Sequence, residues 1–492
     1  MTNEPTHSPR TPLRALRLIF MILLLCVMCA QIALGIFWIT KNLGVIPGFG
    51  DTTEYLELSE TFAPDEYRPI LFPMLLRLSR MAAAQMNIPY QTLLYGIQLV
   101  VSYFAIFTAV RYFANSAPFH SNLPLELFFT TYIWTLPMIL WFNCCVLTDS
   151  FALSALIWML VLLTIYVKDE ISNSLIWIGI VVTYLLQALM RSDRTYSACF
   201  MIVGCIIMRA LHGLFRAIAG KIRRKSIYDE ENVRHRPRRP SGPLWTYLFP
   251  VIMTVAAVMI VLGVNSVTQT PGSRGRITTN LPFVLLDRVV WPNMANNYEY
   301  FPDEIRDVIT IEEAREFDSH NNQVMYQMAP LLEERVGKEK ASEYYVTMAK
   351  VVWEHDRRKV IRDTAGTVAA FLMMPQSETL NRWKLLEANT GWNIKCMTGG
   401  DERLTRFMFS YYMYSFCLIF CTGSIICWFI LKMYRKAVGR LSCFIGMSVL
   451  LALWFGLGDG AIVNDRYALI VLVTWGLGWM LAFMGLFCKE SV

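Results

Sequence analysis

Charge is scarce in this sequence. Asp, Glu, Lys and Arg make up 17% of its 492 residues and hydrophobic residues 55%, and the mean hydropathy is +0.40. Soluble globular domains carry about a quarter charged residues, so that class is excluded and a polytopic membrane protein is expected. Metal-ligand patterns are lacking too. The six histidines are scattered without an HExxH or similar spacing, and the single CxxC, Cys26 with Cys29, lies in the first apolar run with no second pair. Cys417, Cys421 and Cys427 fall inside a later apolar run and read as small membrane-core residues. No Asn-x-Ser/Thr sequon occurs, which fits a bacterial envelope more readily than a eukaryotic lumen. An internal repeat of the kind many transporters carry is also missing. The net charge of +7 comes from bases concentrated beside apolar runs, a distribution that orients helices rather than binding nucleic acid.

The apolar runs define about ten transmembrane helices in an all-α polytopic protein. Arg10, Arg14 and Arg17 precede the first run, 18–40, which is too long for a signal-peptide core and lacks a small-x-small cleavage site. The remaining runs are expected at about 93–113, 123–142, 150–167, 175–190, 195–214, 244–264, 407–433, 441–457 and 467–487, each near the roughly 20 residues that a bilayer requires. Nine Lys and Arg residues between 216 and 239 mark a cytoplasmic loop, 215–243. Binding of anionic lipid headgroups is a second reading of that loop, which its orienting role does not need. Both termini then lie in the cytoplasm, in a membrane expected to be the bacterial inner membrane. The organisation is a cytoplasmic N-terminus, 1–17; a transmembrane module, 18–264, with a first external loop, 41–91; an external domain, 265–404; and C-terminal transmembrane helices, 405–492. Within 70–87, Arg77 and Arg80 interrupt the apolar pattern, so short amphipathic helices on the outer surface are expected. The external domain reads as mainly helical, with helix formers at 311–317 and 338–352 and a turn-rich stretch at 267–280. An apolar stretch at 364–374 is too short to span and is expected at the interface.

Polar residues that carry chemistry collect in the outward loops. Six carboxylates, Asp51, Glu54, Glu57, Glu60, Asp65 and Glu66, follow the first span; LTDS covers 147–150, MRSDR 190–194 and NDRY 464–467. Acids and bases at the ends of packed spans would form a polar site at the outer membrane boundary. Each also has a structural explanation. Asp51 and Asp149 suit helix N-caps, Glu54, Glu57 and Glu60 suit a solvated helix face, Arg191 and Arg194 flank Asp193 and can pair with it, and Arg466 beside Tyr467 suits an interfacial anchor.

The succession GDTTEYL, YRPILFP, LTDSF, MRSDR and DRYALIVLVTW resembles the GT-C glycosyltransferases that use polyprenyl-phosphate sugars, the group containing protein mannosyltransferase-like and lipid A aminoarabinose transferase-like enzymes. In that superfamily the first external loop bears an essential Asp, a Tyr follows a few residues later and an Arg-Tyr pair opens a late span. The similar positions here are Asp51, Tyr55, Arg466 and Tyr467. The resemblance implies an inverting displacement with Asp51 as general base and arginines binding the leaving lipid phosphate. Arg466 and Arg194 lead, with Arg191 and Arg68 in reserve, and Glu54, Tyr55, Asp149, Asp193 and Tyr467 complete the expected substrate-binding set. The absence of a nucleotide-binding loop suits a lipid-linked donor. A divalent metal has no supporting motif, because the Asp-x-Asp of metal-dependent oligosaccharyltransferases is missing. The implied partners are the polyprenyl-phosphate sugar, membrane lipids and a glycan, lipid or protein acceptor, which the external domain is expected to help select. The rival readings are a transporter or flippase of a lipid-linked or anionic solute, and a polysaccharide polymerase or ligase centred on the late external loop.

Overall fold

The computed structural model describes residues 11–43, 50–65, 68–115, 122–168, 173–224, 243–268, 281–319 and 323–373, with short pieces between 443 and 481. It is about 90% helical, and no strand occurs among the described residues. The chain divides into two compact units: one of 1–274, 379–447 and 472–492, the other of 275–378 and 448–471.

The first unit is built from ten described helices, α1 (Thr11–Asn42), α2 (Gly50–Thr61), α3 (Leu71–Met86), α4 (Tyr90–Ala114), α5 (Leu123–Trp134), α6 (Pro137–Asn143), α7 (Asp149–Lys168), α8 (Asn173–Met190), α9 (Ser192–Arg224) and α10 (Pro243–Thr268). Four helical stretches among the described residues are long and apolar enough to cross a membrane: Tyr90–Ala114, Asp149–Lys168, Arg194–Leu211 and Tyr247–Thr268. Apolar side chains also cover their outward faces, among them Val100 and Phe104 on α4 and Val255 and Met259 on α10. A helix in water would carry polar residues there, so the pattern is that of a membrane protein.

The apolar run 123–142 does not form one continuous helix. Pro137 has no N–H to donate and its ring disfavours helical backbone at Leu136, which takes φ −58° and ψ 132°, so the run divides into α5 and α6. The break is satisfied internally. Thr135 Oγ1 donates to the carbonyls of Thr131 and Tyr132, and Gln31 Nε2 reaches across from α1 to the Thr135 carbonyl at 2.7 Å. That crossing requires close approach: a β-carbon at Gly35 would lie 2.6 Å from Thr135 Cβ.

α7 is the centre of this unit, packed against α4, α8 and α9, with 15 of its side chains buried. Small residues bring α4 close, since Ala105, Ala109 and Ala114 are fully or almost fully buried. α3 forms a single amphipathic helix. It buries Phe72, Leu76, Ser79 and Ala83 and exposes Met74, Leu78 and Met81 on the other side.

In the second unit, short helical segments pack on two longer helices. They are α11 (Leu281–Leu285), a π-helical turn over Leu286–Val290, a 3-10 turn over Trp291–Asn293, α12 (Met294–Asn297), a 3-10 turn over Tyr298–Tyr300, α13 (Asp303–Arg306), α14 (Ile311–Ser319), α15 (Gln323–Val336) and α16 (Lys338–Met373). Val290, Met294, Phe301, Met328, Leu332, Tyr345, Met348 and Val352 fill its core. A capping box starts α14: Thr310 Oγ1 accepts from the Glu313 N–H at 3.2 Å, and Glu313 Oε2 accepts from the Thr310 N–H at 2.9 Å. The same carboxylate meets Arg335 in a two-pronged pair, 3.0 and 2.6 Å. The Arg335 hydrogen bond, opposed by partial burial and helped by the Thr310 N–H, lowers the Glu313 carboxyl to about 2. α16 bends at Asp356, whose φ and ψ of −121° and 24° are non-helical and whose carboxylate accepts from Asn297 Nδ2 at 2.8 Å.

Candidate functional site

In the first unit, the structure gathers residues from four separate stretches of chain at one end of the α4–α7–α8–α9 packing. α8 gives way to α9 across a single residue, Arg191, whose N–H still donates to the Gln187 carbonyl at 2.9 Å, while the Arg194 N–H returns to the Arg191 carbonyl at 3.2 Å. This tight junction sends the Arg191 guanidinium to α7, where Nη1 donates to Asp149 Oδ1 at 2.6 Å. The two side chains are 9% and 1% exposed. Arg194 is buried as well. Two arginines and one aspartate therefore lie in a nearly water-free position at the ends of apolar helices. Burying such charges costs several kcal/mol per ion unless they are paired, on the order of the cost for any desolvated ion. The N-termini of α7 and α9, which pack on one another, add positive potential at the same end.

The 50–86 stretch reaches this end through α2 and α3. Thr52 Oγ1 donates to the Val146 carbonyl at 3.4 Å, three residues before Asp149. Phe72, in the first turn of α3, lies 6.5 Å from Phe151 of α7 and stands edge-on to Tyr55 at 4.9 Å. Tyr55 is buried, with the Arg68 guanidinium 4.6 Å from its ring centroid. Arg68 also pairs with Glu54 through Nε and Nη2, and its N–H donates to Asp65 Oδ1 at 2.6 Å. Glu54, Tyr55 and Arg68 thus act together to fix the segment after α2. At the other end of α2, Arg80 pairs with Glu60 at 2.8 Å and donates to Ser59 Oγ at 3.3 Å, which clamps α2 to α3.

The placement of the sequence-selected residues is uneven. Asp149 and Arg191, 42 positions apart, are brought together as a pair, and Arg194 is buried three residues on; the side chain of Asp193, the near neighbour the sequence suggested, lies outside the described residues. Asp51 is the second residue of α2, which begins at Gly50, so its backbone lies in the first turn and not at the N-cap position that the sequence suggested. The backbone of Asp193 lies in the first turn of α9. Arg466 and Tyr467 lie outside the described residues.

Sequence reasoning passed over a buried polar layer just beneath the ion pair. Gln98 Nε2 on α4 donates to the Leu147 carbonyl at 3.1 Å, Asn143 Nδ2 donates to Ser102 Oγ at 2.8 Å, and Ser150 Oγ donates to Asn143 Oδ1. Trp134 Nε1 reaches Ser102 Oγ at 3.0 Å. The available signal was the polar residues interrupting apolar runs, Gln98 and Ser102 foremost. No protein-family model, curated protein or solved structure matches the chain. Among the described residues, no three His, Cys, Asp or Glu side chains gather as a metal site.

Proposed function

We propose that this protein is an integral membrane glycosyltransferase of GT-C type, moving a sugar from a polyprenyl-phosphate donor to an acceptor at the outer face of a bacterial inner membrane. In this reading the chain crosses the membrane about ten times, both termini are cytoplasmic and 265–404 form an external domain. The observation that carries it is the buried Asp149–Arg191 pair with Arg194 three residues on, at the N-termini of α7 and α9 and next to the segment that α2 contacts. A lipid phosphate needs cations at the end of a membrane helix and an apolar surface for its chain. Two arginines and two helix N-termini supply the first, and the apolar faces of the long helices the second.

In this mechanism Asp51, in the first turn of α2, removes a proton from the acceptor hydroxyl or amine. The acceptor atom bonds to the anomeric carbon as the bond from that carbon to the phosphate oxygen breaks, so the configuration inverts. The phosphate departs with the electron pair, and Arg194 and Arg191 stabilise its growing charge. Asp149 holds Arg191 in place. Arg466 and Tyr467 are proposed to complete the phosphate site, while Arg68, tied to Glu54 and Tyr55, supports α2 instead. The test is binding of polyprenyl phosphate to the purified wild type and Arg194→Gln. The variant is expected to bind about tenfold more weakly, the size of a lost charge-assisted hydrogen bond. Equal affinity in the two proteins would remove Arg194 from the site.

A further inference from the structure

Three polar atoms at the α4–α7 end make no hydrogen bond to any described residue: Tyr95 Oη, Gln98 Oε1 and Thr148 Oγ1. All three side chains are fully buried. An isolated orphan of this kind is a packing compromise, because burying a hydroxyl or amide oxygen without a partner costs about 1–3 kcal/mol. Three in one place need a common reason.

They do share a place. Tyr95 and Gln98 are three residues apart and lie on one face of α4. Gln98 spends its amide N–H₂ on the Leu147 carbonyl, at 3.1 Å, which holds its amide group beside the 144–148 segment. Tyr95 is near enough to Cys144 and Cys145 of that segment to interact with them electrostatically. Thr148 immediately precedes α7, where a threonine hydroxyl ordinarily caps the helix by accepting from an N–H two or three residues on; this one does not. Its direct neighbour is Asp149, the partner of Arg191.

The chemistry of the three atoms selects their ligand. Gln98 Oε1 can only accept, so an occupant must donate to it, and a phosphate or carboxylate cannot. Two hydroxyls that both donate and accept complete the set, and none of the three groups is charged. That combination fits a neutral ring bearing several hydroxyls and leaves the anion to the adjacent arginines. We infer that Tyr95, Gln98 and Thr148 form the subsite for the sugar ring of the lipid-linked donor, with Thr148 next in the chain to Asp149, which holds Arg191 in place. The inference rests on the glycosyltransferase reading and extends it to residues that bind the sugar.

The test uses the full-length protein in nanodiscs, with polyprenyl phosphate, polyprenyl-phosphate-glucose and polyprenyl-phosphate-mannose as probes. Tyr95→Phe and Thr148→Val each delete only an orphan oxygen, whereas Gln98 is left intact because its amide holds Leu147. Wild type is expected to bind at least one sugar-linked lipid more tightly than bare polyprenyl phosphate. Each variant is expected to lose roughly five- to tenfold in affinity for that sugar-linked lipid, the size of one hydrogen bond, and nothing for the bare lipid. Bare-lipid binding with no preference for either sugar, or a preference that both variants retain, would overturn the inference and leave the glycosyltransferase reading standing. Equal losses on all probes would make the two side chains structural and overturn it as well. A wild type that binds none of the three lipids would overturn the glycosyltransferase reading first, and the inference with it.

Discussion

Replacing Asp149 with asparagine removes the carboxylate that meets the buried Arg191 guanidinium at 2.6 Å, and Arg cannot escape by giving up its proton. The side chains are 1% and 9% exposed and the pair spans 2.6 Å, so solvent offers little compensation. Breaking a buried pair from one side costs about 3–5 kcal/mol, and both Asp149→Asn and Arg191→Met are expected to fall in that range. Replacing both, Asp149→Leu with Arg191→Met, removes the two desolvation costs together and fills a similar volume. The double variant is expected within about 1 kcal/mol of wild type, giving a coupling energy of about 3 kcal/mol or more in the double-mutant cycle. The assay is thermal or denaturant unfolding of detergent-purified protein, followed by reaction of the buried cysteines with a thiol dye. Cys144, Cys145 and Cys205 are buried in the folded chain and report its loss. Single variants within about 1 kcal/mol of wild type, or losses that simply add, would refute the reasoning. The double variant also separates fold from function, since it is expected to fold and yet lose polyprenyl-phosphate binding.

Two further outcomes concern the second unit. Thr310→Ala removes one side of the capping box that starts α14 and is expected to lower stability by about 1 kcal/mol in unfolding experiments. Glu313 has a folded pKa of about 2, below its ordinary 4.5, so its contribution is fully present above about pH 4.5 and is lost as the pH falls through about 2. Glu313→Gln is therefore expected to cost about 1 kcal/mol at neutral pH, a value kept small by solvent screening of a partly exposed pair. The gap between wild type and variant should close on acidification, and a gap independent of pH would contradict the role given to the Arg335 pair.

The long helices were legible because an apolar run of membrane length has few other fates. α7 and α8 fall within two residues of the expected 150–167 and 175–190. α9 extends instead from Ser192 to Arg224, ten residues beyond the apolar run, where Ala217, Ala219 and four Lys or Arg residues favour helix in a way that hydropathy does not register. The break between α5 and α6 was written in Leu136–Pro137, yet it was hidden by uniform hydropathy across 123–142. The position of Asp149, Arg191 and Arg194 was legible as charges at the ends of apolar runs. The Asp149–Arg191 pair was not, because the packing of α7 on α8 decides a contact between residues 42 positions apart. Tyr95, Gln98 and Thr148 escaped notice for a related reason: a polar residue in an apolar run becomes informative only when its partners, or their absence, are known.

The most direct test of the central claim uses proteoliposomes holding the purified protein, a radiolabelled polyprenyl-phosphate sugar and a bacterial envelope extract as acceptor, with Asp51→Asn as control. The account predicts that label leaves the lipid and becomes covalently bound to acceptor with wild type, while the folded Asp51→Asn protein transfers none. Label that crosses the bilayer still attached to its lipid would contradict the account and identify a flippase. Transfer by Asp51→Asn at the wild-type rate would remove Asp51 as the base.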